Sequence, residues 1–240
     1  MRRMTAADML DAWERACSLG AARRSLELLS GAWPEEARER LAALSIGARD
    51  ARLLTLREWF FGTRIVGQVD CPRCGERMET SFAVEDVRSP QAAPAADLHV
   101  VADGTAVWFR LPDSTDLDWL EQRRNELSGD AAGARRRLLE RCIEKVEGEL
   151  SERGEEEVVS RMSELDTQAN LSLALACSAC GHRWSAPFDI AEFLWHEVQA
   201  WARRMLREVH VLASAYGWSE REILSMSATR RAIYLEMAQS

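Results

Sequence analysis

Long apolar runs are missing from this chain of 240 residues. No stretch approaches the roughly 18 uncharged residues that a membrane helix needs. The opening MRRMTAADML has no apolar run behind its arginines of the kind a secretion signal requires. The expectation is a soluble, cytoplasmic protein that does not enter a membrane. An excess of positive charge is missing too. The formal net charge is -8 and the pI about 5.2, so a general attraction to nucleic acid or anionic lipid is not expected. Lysine is nearly absent: among 31 basic residues only Lys145 is not arginine, and nothing functional follows from that bias. Histidine is scarce, with only His99, His182, His196 and His210. The segment from His196 to Ala200 starts like a metalloprotease signature, but Ala200 stands where the second histidine must be. No phosphate loop, dinucleotide fingerprint or nucleophile elbow occurs either. No enzymatic activity and no small-molecule substrate are expected.

What the chain does have is 47% hydrophobic residues, enough for a real core, and six cysteines. Four of them fall in two copies of one local design, VDCPRCGERMETSF from Val69 and LACSACGHRWSAPF from Leu175. In each, an apolar approach runs into Cys-x-x-Cys-Gly. Such a turn lets two thiolates face one point while backbone amides point toward sulfur and glycine permits the tight turn. Cys71, Cys74, Cys177 and Cys180 therefore make up a candidate tetrahedral zinc site of four soft ligands. Metal binding supplies roughly 10–16 kcal/mol in zinc-finger peptides, ample for hairpins too small to bury a core.

The spacing is unusual. Zinc ribbons separate their pairs by roughly 15–20 residues, whereas the 102 residues from 75 to 176 lie between Cys74 and Cys177. Loop-closure entropy grows only logarithmically with length, so a folded insertion is tolerable. Two separate partial sites, or thiol redox chemistry, are the other readings of the pairs. The redox reading requires a helix after each pair, and strand-like residues follow instead. His182 is expected outside the ligand set, and Cys17 and Cys142 are expected to be small core residues.

Periodicity organises the rest. Thr5 to Asp8 resembles a capping signal before a helix carrying Met9, Leu10 and Trp13. Further helices are expected over Ala21–Leu29, Pro34–Leu44 and Gly47–Phe61, the last stopped by Gly62. Arg64–Asp70 and Met78–Val84 form the first cysteine hairpin. A Pro/Ala linker follows over Arg88–Asp97, and then a hairpin around Asp103-Gly104. Helices are expected over Ser114–Leu127, Ala131–Glu147 and Glu155–Leu165, and Leu171–Ala176 and Arg183–Phe188 form the second cysteine hairpin. From Ile190 to Tyr216 apolar residues recur at steps of three or four, giving one stripe ended by Gly217. Ser219 to Glu222 is a capping box, with Trp218 and Ile223 placed for a hydrophobic staple, and short helices complete the chain. Most of the nine tryptophans should be core, with Trp195 off the stripe and available to an interaction face.

The segment from Phe188 onward resembles the carboxyl end of the T-even-type phage baseplate hub assembly chaperone family, whose relatives accompany contractile injection systems. The similarity lies in the long helix ending at Tyr216-Gly217-Trp218, the Ser219-x-x-Glu222-Ile223-Leu224 start and the Arg230-Arg231-x-x-Tyr234-Leu235-Glu236 finish. RLPDSTDL, Arg110 to Leu117, is similar to that group as well. The resemblance implies a non-enzymatic assembly or adaptor protein, with baseplate or hub proteins of a contractile tail-like particle as partners. It leaves open whether the chain is built into the particle. The resemblance does not extend to the cysteine pairs. A zinc-ribbon regulator that binds nucleic acid is the alternative reading.

The expected fold class is mainly α with a small β zinc-ribbon module, a helical bundle carrying an inserted β-hairpin plus helices. Its parts would be an amino-terminal helical region over 1–62 and a split ribbon over 63–87 and 171–188. An inserted hairpin with helices would span 88–170, and the carboxyl-terminal helices 189–240.

Overall fold

A computed structural model describes residues 4–89 and 98–238. Most of the expected Pro/Ala linker, residues 90–97, lies outside them. In chain order the elements are α1 (Ala6–Ala16), α2 (Ala21–Ala32), α3 (Arg38–Ala42), α4 (Ile46–Phe61), β1 (Arg64–Asp70), β2 (Arg77–Ala83), β3 (His99–Ala102), β4 (Thr105–Phe109), α5 (Ser114–Gln122), α6 (Ala131–Cys142), β5 (Ile143–Glu147), α7 (Glu152–Leu165), β6 (Ser172–Ala176), β7 (Arg183–Pro187), α8 (Ile190–Tyr216), α9 (Glu220–Ser225) and α10 (Ala228–Ala238). The fold is mainly α with small antiparallel sheets, as the composition of the segments predicts. No helix among the described residues is long and apolar enough to cross a membrane. The chain divides into two compact units, 1–38 with 191–240 and 39–190.

In the first unit local signals set the helix ends. Thr5 Oγ1 accepts from the Asp8 amide at 3.2 Å while Asp8 accepts from the Thr5 amide at 2.8 Å, closing a capping box on α1. Along α8 the residues Leu194, Val198, Trp201, Met205, Val209 and Leu212 are all buried, so the periodic stripe is a packed face. Gly217, at φ +70°, ends α8 in the left-handed conformation that favours glycine. The box at Ser219 and Glu222 starts α9, and Trp218 and Tyr234 pack against the cluster of Val209, Leu212 and Ile223. Three expectations need correction. Trp195 is buried beneath the Arg24 guanidinium, 5.0 Å from its ring centre, so it widens no interaction face. Cys17 is exposed at the end of α1 and is not a core residue. The Pro34–Leu44 helix shrinks to Arg38–Ala42: Glu36 turns back to donate to the Trp33 carbonyl, and only Leu41 is buried to hold a helix there.

The second unit holds α4, the two cysteine hairpins and the segment between them. Gly62 ends α4 at φ +83°, and β1 pairs with β2 along their whole lengths, Arg64 opposite Ala83 through Asp70 opposite Arg77. The Asp103-Gly104 turn has positive φ at both residues, 47° and 82°, the geometry that matches strand twist in a two-residue hairpin. β3, β4 and β5 form one antiparallel sheet in that order. Its inner face joins α6 and α7 in a core of Ala102, Val107, Phe109, Leu139, Cys142, Val158 and Met162. The expected helix over Ala131–Glu147 therefore ends at Cys142 and continues as strand β5. Ile143 and Val146 stand three apart, a spacing that suits a helix face. The register shift between Trp108 and Phe109 skips Glu144 and so turns both toward the same core. The Ser114–Leu127 helix likewise stops early, at Gln122.

Candidate metal centre

Each cysteine hairpin ends in the same knuckle. In the first, the Gly75 amide donates to the Cys71 carbonyl at 2.9 Å and the Cys71 amide to the Glu76 carbonyl at 2.9 Å. In the second, Gly181 donates to Cys177 at 3.0 Å and Cys177 to His182 at 2.8 Å. Gly75 and Gly181 sit at φ +74° and +70°, where a Cβ is strained, so both knuckles depend on glycine at that position. Asp70 and Arg77 close the first turn with an ion pair at 2.9 Å, and the rings of Phe82 and Phe188 meet edge to face at 5.3 Å between the hairpins.

The two knuckles face one another. Cys71 Sγ lies 3.8 Å from Cys180 Sγ, Cys74 Sγ lies 3.6 Å from Cys177 Sγ, and all four sulfurs lie within 4.8 Å of one another. A tetrahedral centre with metal–sulfur bonds of about 2.3 Å has sulfur–sulfur edges of roughly 3.8 Å. The separation is far beyond the roughly 2.05 Å of a disulfide, and all six cysteines are free. Cys71 and Cys177 are buried while Cys74 and Cys180 are exposed. This set of four soft donors could hold a metal ion.

The electrostatics fit a cation. Burial works to raise the Cys71 pKa, but the amides of Cys74 and Arg73 and the neighbouring thiols bring it down to about 7. At Cys74 the Glu76 amide works downward, yet the crowding thiols of Cys180, Cys71 and Cys177, with burial, lift the pKa to about 12. One thiol ionises readily because its neighbours donate to it. Ionising all four thiols at these distances would require a positive charge among them.

Contacts between segments far apart in sequence bring the bases of the two hairpins together. The turn Thr167–Asn170 before β6 packs on the start of α4, where Asp166 Oδ2 accepts from the Gly47 amide at 2.9 Å. A side chain at Gly47 would collide with that carboxylate. Buried Gln168 donates to the Val87 carbonyl at 3.1 Å and accepts from the Ser89 amide at 2.6 Å, tying the end of the first hairpin to the entry of the second. Arg88 meets Thr55 at 3.2 Å and pairs with Glu58 on α4.

The RLPDSTDL stretch has a physical role that its sequence did not disclose. Asp113 caps α5, and Asp116 is fully buried. Arg110 grips the Asp116 carboxylate with two bonds, at 2.5 and 2.8 Å, and Arg141 adds a third at 2.9 Å. Burial works to raise the Asp116 pKa, but these guanidinium bonds and the Asp113 amide hold it below the usual carboxylate range. Arg141 also lies 4.8 Å from the Trp119 ring centre. Arg141 was the member that could not be foreseen, since nothing local links it to Asp116.

The histidine side chains are not among the clustered donors. His182 stacks on Trp184 at 5.8 Å, and His196 is exposed, 3.0 Å from Glu192 one turn away. Arg136 reaches Glu155 at 3.4 Å, an ordinary surface pair. The family model described as T4 bacteriophage base plate protein matches residues 25–195. That span contains all four cysteines and the Arg110–Asp116 pair, and it ends within the first turns of α8. Most of the segment from Phe188 onward lies beyond it. No curated protein and no solved structure matches the chain.

Proposed function

The chain belongs to the family of T4 bacteriophage base plate proteins, and on that premise we propose that it is a non-enzymatic assembly or adaptor protein of a contractile tail-like base plate. Its partners in this reading are other base plate or hub proteins, and it is incorporated in, or acts on, the particle. The family match over 25–195 is the observation that carries it. Cys71, Cys74, Cys177 and Cys180 are proposed as ligands of one structural zinc ion, supported by sulfurs within 4.8 Å of each other. Four thiolates fill a tetrahedral shell and leave no position for substrate or water, so the ion serves the fold.

In domain terms the proposal is a zinc ribbon over 63–87 and 171–188, divided by an inserted module over 88–170. The ribbon joins a helical region over 1–62 to the carboxyl-terminal helices over 189–240. Co-expression with the sheath, tube and base plate proteins of the same particle tests the role. A stable complex with a base plate protein is expected, and its absence from every assembly intermediate and from the finished particle would refute the reading. Elemental analysis of the purified protein tests the ion, with one zinc per chain expected.

A further inference from the structure

A groove runs between α6 and α7. Two cavities, of about 270 and 350 Å³, share Arg135, Leu139 and Val159 as walls and so form one continuous trough. One end is apolar, lined by Ile46, Leu117, Leu138 and Met162. The other is charged, with Arg135 and Arg136 on the α6 wall and Glu152, Glu155 and Glu156 on the α7 wall. Arg136 pairs with Glu155 and Glu152 across the trough, at 3.4 and 3.7 Å. The side chains of Arg135 and Glu156, both exposed, are left with no hydrogen bond or ion pair among the described residues.

The chain also carries a ridge of matching character. α10 packs inward through Tyr234 and Leu235, while Ile233 and Met237, one turn apart, are 48% and 61% exposed. No other two of the exposed large apolar residues Val66, Val101, Leu206 and Tyr216 share a helical turn. At 100° per residue, Arg230 and Glu236 fall on opposite flanks of this ridge. An apolar ridge with one positive and one negative flank complements an apolar trough with one positive and one negative wall.

We propose that the chain associates with a second copy of itself through these two surfaces, α10 of one copy lying in the α6–α7 groove of the next. Ile233 and Met237 enter the apolar end, Glu236 meets Arg135 and Arg230 meets Glu156. The two surfaces differ, so the contact is heterologous and repeats from copy to copy, closing as a ring or extending as a row. This inference stands apart from the base plate reading, because it concerns only copies of this chain.

Sedimentation velocity over a concentration series of the full-length protein tests it. Two variants at exposed positions separate the surfaces: Ser163→Trp obstructs the groove and Ile233→Asp spoils the ridge. Circular dichroism and thermal melts verify that each remains folded. Wild type is expected to form species larger than a dimer, and each variant alone to self-associate at least about tenfold more weakly. An equimolar mixture is expected to give a one-to-one dimer and nothing larger, since it offers one intact ridge and one intact groove. Arg135→Glu and Glu236→Arg should each weaken association about two- to fivefold, and the double swap should restore it. A wild type that stays monomeric throughout, variants that associate like wild type, a mixture that remains monomeric, or a double swap without recovery would each overturn the proposal.

Discussion

Removing metal from the cysteine centre should unfold the two hairpins and spare the module between them. Among the strands and knuckles only Ile65, Cys71 and Cys177 are buried. A fully buried apolar side chain contributes about 1.5–3 kcal/mol, whereas ordering the backbone alone costs about 1–2 kcal/mol per residue. Paired strands without a core cannot meet that cost, and isolated two-stranded hairpins are marginal in water. A structural metal supplies roughly 10–16 kcal/mol. The module has its own core of seven buried residues on β3, β4, α6 and α7, so it should persist.

Hydrogen exchange before and after a strong chelator, and on Cys71→Ser, reads this residue by residue. Amides of β1, β2, β6 and β7 should lose protection, while those of β4 and α7 keep it. Unchanged protection of the hairpins in verified metal-free protein would refute the reasoning, since other contacts would then hold them. Simultaneous loss everywhere would refute the independence of the module.

Asp116→Ala should cost about 2–4 kcal/mol in urea unfolding, since it strands two guanidinium groups that are each about one-third exposed; Asp116→Asn should fall between it and wild type, and a loss under about 1 kcal/mol would show the network to be dispensable. Gly47→Ala should destabilise by about 1–3 kcal/mol, because the added Cβ meets the Asp166 carboxylate and, at 3.0 Å, the backbone of Ala169; an unchanged melting temperature would disprove that close approach. Asp50 is buried beside Arg49, and burial lifts its pKa to about 6 from 3.8, against the pull of Arg49 and with the help of Asp189 and Asp166. The folded state thus binds this proton more tightly than the unfolded chain, so stability from this group rises as pH falls through 6 and is lost above it. Relative to Asp50→Asn, wild type should gain up to about 2 kcal/mol between pH 7 and 4.5; parallel profiles would count against it.

Much of the molecule was legible because many of its signals act over a few residues. Thr5 with Asp8 and Ser219 with Glu222 form boxes closed within one helical turn. Gly62, Gly104 and Gly217 stand where the backbone adopts positive φ, and the two Cys-x-x-Cys-Gly turns fold by bonds spanning four or five residues. The α8 stripe needed only its 3.6-residue period. Local signals misled where a neighbour in space made the choice. Ile143 and Val146 share a face through a bulge opposite Trp108, so a helical spacing became a strand. Pro34 suited a helix start, but the turn at Trp33 and the lack of buried residues shortened that helix. Cys17 fitted the α1 pattern but lies past the last packed turn, in solvent.

By itself, then, the sequence determined the two knuckles, most of the helices with their caps, and the hairpin turn, since each is settled by dihedral preference and bonds within a few residues. Tertiary structure alone decided that the four sulfurs converge, that Arg141 joins Arg110 on Asp116, and that Gly47 lies against Asp166. Those contacts bridge 25 to 119 residues, and over such separations position depends on how the intervening chain closes on itself.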